Sequence, residues 1–414
     1  MAEFNPRRHR FIWRLVYGPV RLYLRLRFNY QPRIRPIPTP SLIVSNHCTD
    51  WDPLMLGVTI RKQAYFIASG HIFQHPLLGK LLLWLQAPIP RMKGGTAADA
   101  ALTALRRMRA GCSVAVFAEG NRTFTGMTGE IVESTAKLAR ISGGCLVTHR
   151  FRGGYLTSPR WAGADIRRGK MTGEVVRVLT PAQLRNMTPA EIAEVIRTDI
   201  FEDAFATQQA WRVPYRGRRL AEHLERALYI CPQCRAIGTL RSKNDTLSCV
   251  SCGMTVVYTP FGELVRPGGS DGSDTFSFKK KYDRPEGPDG ETAPFRSVSD
   301  WDLWQAGELL RRVEAAGDEP VTSDGGVTVY ALSGIRDKNA VGSGEMTAYR
   351  DRFVCGGLAF PFAALRDAAL VGPQTLTLSN DEGYFSFESD AVWCARKYLA
   401  VYRAAVEPDR ILGV

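Results

Sequence analysis

Nowhere in the 414 residues do eighteen consecutive apolar residues run without a charge, so the chain offers no conventional membrane-spanning helix. The nearest approach is RFIWRLVYGPVRLYLRLR (10–27), where arginines recur too often for a span or for the apolar core of a signal peptide. Acidic residues are scarce at the start: between Met1 and Arg35 stand nine arginines and a single acid, Glu3. That stretch holds more than half of the net charge of +13 and calls for an anionic partner: a phospholipid surface, a nucleic acid or a phosphorylated substrate. No internal repeat is present. The cysteines number nine, an odd count, and four of them form two CxxC pairs. This excludes a secreted disulfide framework in favour of a reduced compartment and a metal site. Hydrophobic content of 45% excludes disorder, and the length suffices for two or three domains.

Apolar periodicity then divides the chain. SLIVS (41–45), AYFIAS (64–69), APIPR (87–91), CSVAVFAEG (112–120) and CLVTHRF (145–151) read as strands or extended pieces. PLMLGV (53–58), HPLLGKLLLWLQ (75–86), TAADAALTALRRMRAG (96–111) and STAKLARISG (134–143) read as helices between them. The alternation predicts an α/β domain built on a layered, mostly parallel sheet with flanking helices, whose chemistry lies in loops at strand ends. One helix is predicted over 188–209, opened by Thr188 and Glu191 as a capping box. The expected divisions are a basic amphipathic segment (1–35), the α/β domain (36–222), a zinc-ribbon-like module (223–265), a linker (266–293) and a small, mainly antiparallel α+β domain (294–414). That last domain is similar at fold level to pleckstrin-homology-like modules. On a helix, Arg10, Arg14, Arg21 and Arg25 line one face beside aromatics and leucines, which suits the lipid interface or a docked helix with its arginines in water. Gly18-Pro19 is expected to kink or split that helix.

The first strand runs into NHCTDWD (46–52), and a His–Asp pair is the least machinery for a general base near neutral pH. NHCTDWDPLML resembles the first block of the glycerolipid acyltransferases, the lysophosphatidate acyltransferase family: N-H-x-x-x-x-D followed by an apolar helix. The resemblance pairs His47 with Asp52 and leaves Asp50 at a variable position. Residues five apart point away from each other on a helix. The resemblance therefore implies a turn over 47–51 that folds the Asp52 carboxylate back, with Pro53 in the first turn of the helix that follows.

Further blocks occur in the family's order. APIPR resembles the second and supplies Arg91; FAEGNRT (117–123) resembles the third, F-P-E-G-T-R-S, with Phe117, Glu119, Gly120 and Arg122 matching. The fourth, an apolar run with a proline, has only CLVTHRFRGG (145–154), which lacks the proline. The likeness spans roughly residues 40–210, the size of one ordinary domain. It implies an enzyme moving a fatty acyl group from acyl-CoA or acyl carrier protein to the hydroxyl of a lysophospholipid, foremost 1-acylglycerol 3-phosphate. His47 is then the base and Asp52 fixes its tautomer. Arg122, and after it Arg91, suits a forked contact to the acceptor's phosphate. Glu119 either holds Arg122 or contacts the glycerol, and the resemblance places Gly120 with Arg91, Glu119 and Arg122 among the substrate-binding residues. Cys48 is a conceivable nucleophile, but its position varies in the block and direct attack by the alcohol needs no covalent step.

Farther on, Cys231, Cys234, Cys249 and Cys252 have CxxC, fourteen residues, CxxC: zinc-ribbon spacing, with four thiolates closing a structural site. Iron is the alternative metal. Catalysis itself calls for no metal. A zinc ribbon with a sequence pI near 9.4 also fits a nucleic-acid-binding protein. Against it, the basic excess lies in the N-terminal leucine- and aromatic-rich segment, so no nucleic-acid partner is expected. A thioester hydrolase would use the same His–Asp base but would have no purpose for a phosphate-binding Arg122. The expected location is peripheral, on the cytoplasmic face of the cell membrane, against an anionic lipid surface.

Overall fold

The structure is a computed structural model that describes residues 4–69, 86–91, 97–131, 134–163, 165–267, 295–333, 337–391 and 393–408. The predicted helix over 75–86 and the predicted linker lie almost wholly outside those residues. The chain divides into two units. The first takes Met1–Ser158 and Arg168–Val213; the second takes Pro159–Arg167 and Pro214–Val414.

The first unit is built on seven strands: β1 (Tyr30–Arg33), β2 (Ser41–Ser45), β3 (Tyr65–Ser69), β4 (Ile89–Arg91), β5 (Val114–Phe117), β6 (Cys145–Arg152) and β7 (Met171–Leu179). Their order is β1-β7-β6-β2-β5-β3-β4, and β6 with β7 is the antiparallel pair in an otherwise parallel sheet. β2 is central, and all five of its residues are buried, as a β-branched run between two covered faces requires. Leu42, Val44, Val114 and Leu146 meet Ala104, Met108, Ile192, Ile196 and Ile200 in one core. The three isoleucines recur every four residues along one helix face. Burying each stabilises the fold by about 1.5–3 kcal/mol relative to exposure.

Two sequence expectations need correction. Thr188 and Glu191 do form the capping box, but the predicted single helix is two, Pro189–Ile200 and Ala204–Trp211. Between them the chain leaves the helix to bond residue 128: Thr128 N donates to Glu202 O and Glu202 N to Thr128 Oγ1, both at 2.9 Å. Asp203 then caps the second helix, accepting from Phe205 N and Ala206 N. At the N-terminus, helix α1 (Pro6–Phe28) is continuous through Pro19. Proline removes the bond to the carbonyl four residues back, that of Leu15, whose side chain faces solvent. Water can donate to that carbonyl in place of the missing N–H, so no break is enforced. The buried side of α1 carries His9, Trp13, Leu24 and Phe28. A Cβ on Gly57 would lie 2.8 Å from the Trp13 ring, so only glycine permits this approach. Among the described residues no helix is long and apolar enough to cross a membrane.

The second unit holds two antiparallel sheets. The smaller has β8 (Leu240–Lys243), β9 (Thr246–Cys249), β10 (Thr255–Tyr258) and β11 (Leu264–Val265) in the order β11-β10-β9-β8. The larger has β12 (Thr322–Ser333), β13 (Asp337–Ala348), β14 (Arg352–Cys355), β15 (Leu358–Pro361), β16 (Asp367–Val371), β17 (Thr375–Asn380) and β18 (Gly383–Ser389). Its order, β15-β14-β13-β12-β18-β17-β16, is two meanders joined through β12 and β18. The helix Ala395–Val406 packs on β16 and β17. Arg396 on that helix is half-buried and forks onto both oxygens of Asp302, on the helix Val298–Ala315. The returning segment Pro159–Arg167 belongs here because Trp161 is buried edge-on to Tyr258, and Arg167 lies 5.0 Å from both ring centroids.

Candidate active site

Parallel strands deliver their C-terminal ends to one edge of the sheet, where ligands of α/β folds bind. Here β2 ends at Ser45, β5 at Phe117 and β4 at Arg91. The loops that follow β2 and β5 carry His47 and Glu119-Gly120. Asn46 pins its own loop to β6: its Nδ2 donates to Phe151 O at 3.0 Å and its Oδ1 accepts Phe151 N at 2.8 Å.

Helix α2 (Asp52–Ile60) begins at Asp52, with Pro53 in its first turn, so residues 47–51 form the turn that the five-residue spacing demands. The Asp52 carboxylate is completely buried and collects four donors. Oδ2 takes His47 Nδ1 at 2.9 Å, Cys48 N at 2.6 Å and Thr49 N at 3.0 Å. Oδ1 takes Thr49 Oγ1 at 2.7 Å. A carboxylate so supplied is fixed in place and in turn fixes the imidazole's orientation. With Nδ1 engaged, Nε2 is the ring nitrogen left for chemistry, and the His47 side chain is 19% exposed. One face of the imidazole lies on Phe117, centroids 4.2 Å apart and planes 14° apart.

The turn over 119–122 holds this loop by its backbone. Glu119 Oε1 accepts His47 N at 2.7 Å, and Oε2 accepts Gly129 N at 2.9 Å. Gly120 sits at φ +68°, where a side chain would be strained. Arg122 donates from Nε to Cys48 O at 3.0 Å, from one terminal nitrogen to Asp50 Oδ2 at 2.9 Å, and from the other to Ser158 O at 2.6 Å and Ser158 Oγ at 3.3 Å. Two backbone groups of adjacent residues in the His47 loop, the N–H of His47 and the carbonyl of Cys48, are thus each held by one side chain of the EGNR turn. Arg91 ends β4, three strands from β2 and therefore roughly 14 Å from it along the sheet; its side chain lies outside the description.

Burial, reinforced by the carboxylates of Asp52 and Glu119, pushes the Cys48 thiol well above its ordinary value. The neutral thiol is therefore the favoured form of Cys48, which packs against Gly154. Beneath the loop, burial pushes His149 down to about 3, so it is neutral, with Nδ1 3.0 Å from Ser45 Oγ. Sequence reasoning missed Thr49, Asn46 and Ser158. For Thr49 a signal existed: Thr-x-x-Asp has the capping-box spacing.

The four paired cysteines meet in the second unit. The sulfurs of Cys231, Cys234, Cys249 and Cys252 all lie within 4.8 Å of one another. The pairs Cys231–Cys252 and Cys234–Cys249 are 3.6 and 3.7 Å apart. Tetrahedral zinc with ligands at about 2.3 Å sets its sulfurs about 3.8 Å apart, so these residues fit that ion. Against the effect of burial, the Thr239 hydroxyl, 3.2 Å from the Cys249 sulfur, and the backbone N–H groups of Cys252 and Ser251 favour a thiolate there.

Residues 29–152 match the family model described as Acyltransferase. No curated protein matches the chain. Among solved structures, the 1-acyl-sn-glycerophosphate (LPA) acyltransferase PlsC from Thermotoga maritima is similar with a TM-score of 0.38 and 16% sequence identity, over 45% of this chain and 79% of that one.

The Glu119 contacts generate a stability prediction. Glu119→Gln sets an amide NH2 against one of two backbone N–H groups. The loss is about 1–3 kcal/mol, a fall of several degrees in the thermal midpoint. Thermal unfolding of both proteins checks this, and an unchanged midpoint would show that the carboxylate does not hold the loop.

Proposed function

We propose that the protein, whose residues 29–152 match the family model described as Acyltransferase, moves a fatty acyl group from a thioester donor, acyl-CoA or acyl carrier protein, to the free hydroxyl of a lysophospholipid. The preferred acceptor is 1-acylglycerol 3-phosphate, which becomes phosphatidate. The observation that carries the reading is His47 held by a buried, four-donor Asp52 at the sheet edge. His47 Nε2 takes the proton of the acceptor hydroxyl as its oxygen attacks the thioester carbonyl carbon. The developing imidazolium is stabilised by Asp52. The tetrahedral intermediate collapses, the C–S bond breaks, and the imidazolium returns the proton to the departing thiolate. Arg122, Arg91, Glu119 and Gly120 form the acceptor side of the site in this reading, with Arg122 supplying positive charge for the phosphate. Purified protein with labelled acyl-CoA and a panel of lyso-acceptors tests it. Phospholipid product is expected, falling a hundredfold or more in His47→Ala and steeply in Asp52→Asn. Product formation at full rate by His47→Ala would defeat the mechanism.

We further propose that α1 lies on an anionic lipid surface. Phe11, Leu15, Leu22 and Leu26 are exposed along one stripe. Arg7, Arg10, Arg14, Arg21 and Arg25 line its flank. This is the arrangement of an interfacial helix. Because the four apolar side chains are exposed, changing them to serine spares the core. Co-sedimentation with anionic vesicles is expected to weaken in that variant, and to weaken for the native chain as salt rises. Equal binding by both proteins would refute the assignment.

The four cysteines are proposed as a structural zinc site in a ribbon-like module, ahead of a pleckstrin-homology-like domain. Elemental analysis of reduced protein is expected to find one zinc per chain, and chelation to lower the unfolding midpoint. Metal-free protein of undiminished stability would contradict this.

A further inference from the structure

The loop that carries the base also carries a second carboxylate, Asp50. Its side chain is 78% exposed, against 11% for the Arg122 side chain it meets. The guanidinium is not equally committed on all sides. Its Nε holds a backbone carbonyl, Cys48 O, and one terminal nitrogen holds Ser158 through carbonyl and hydroxyl. Those acceptors are fixed by the fold. The remaining terminal nitrogen pairs at 2.9 Å with Asp50, an acceptor on a solvent-facing side chain that can swing away. An ion pair with one partner in water is weakly held. A phosphate approaching Arg122 therefore meets this carboxylate first.

We propose that Asp50 is a specificity-determining residue: an internal anion that competes with the acceptor's phosphate for Arg122 and tunes selectivity against phosphate monoesters. The inference rests on the acyltransferase reading above. Its physical content is like-charge repulsion. A doubly charged phosphate must displace Asp50 and then remain beside it, whereas an uncharged acceptor meets no such opposition. Asparagine at this position keeps a carbonyl oxygen for the Arg122 N–H and removes the charge.

The test compares native protein with Asp50→Asn on lysophosphatidate and on monoacylglycerol, measuring kcat and KM for each. The ratio of kcat/KM between the two acceptors is expected to shift about tenfold toward lysophosphatidate, mainly through its KM, with the shift shrinking as salt rises. A ratio that stays constant, or moves toward monoacylglycerol, overturns the inference: Asp50 then serves only to steady Arg122. Native protein that acylates neither acceptor overturns the lysophosphatidate assignment, and the inference with it. Native transfer with an unmoved ratio overturns the Asp50 inference alone.

Discussion

The site depends on one buried carboxylate. Asp52 is the point at which a strand end, a turn and a helix start converge, because its two oxygens take donors from three successive residues before it. Ionised carboxylate in the interior is costly unless it is fully supplied with hydrogen bonds. Here the supply comes from the turn itself, so forming the turn and solvating the charge are the same event. The imidazole is oriented as a by-product of satisfying that charge.

The side chains around Asp52 restrict the loop further without touching the imidazole. Asn46 ties its start to β6, Glu119 holds the His47 N–H, and Arg122 holds the Cys48 carbonyl. A loop of a few residues has many conformations to lose, and each contact removes some before substrate arrives. Preorganisation of this kind lets a strand-end loop act with the precision of a secondary-structure element.

The meeting of His47 with Asp52 was legible only through the resemblance to the family block N-H-x-x-x-x-D, since helical spacing alone would have favoured Asp50; given that pairing, a turn over 47–51 followed. The strands were legible from short β-branched runs, SLIVS above all. The service of Glu119 and Arg122 to the loop's backbone was not, because a bond from side chain to main chain names no partner residue in the sequence. The continuity of α1 escaped for a related reason: a proline breaks a helix only where the freed carbonyl finds no other donor, and burial decides that. The split at 201–203 left a trace in Asp203, a cap residue inside an apparently single helix. That Pro159–Arg167 would belong to the second unit had no sequence signal.

That excursion bears on how the protein is made. Synthesis runs from the N-terminus, so all strands of the first unit leave the ribosome before Pro214. The nine residues from Pro159 to Arg167 leave with them, but Tyr258, which covers Trp161, and Leu220, whose carbonyl accepts from Arg167, come later. A large indole and its arginine must wait, exposed, until the second unit is translated. A chain stopped near residue 213 would keep every strand of the first sheet and still carry that uncovered loop, so the first unit cannot be cut away cleanly at any single peptide bond.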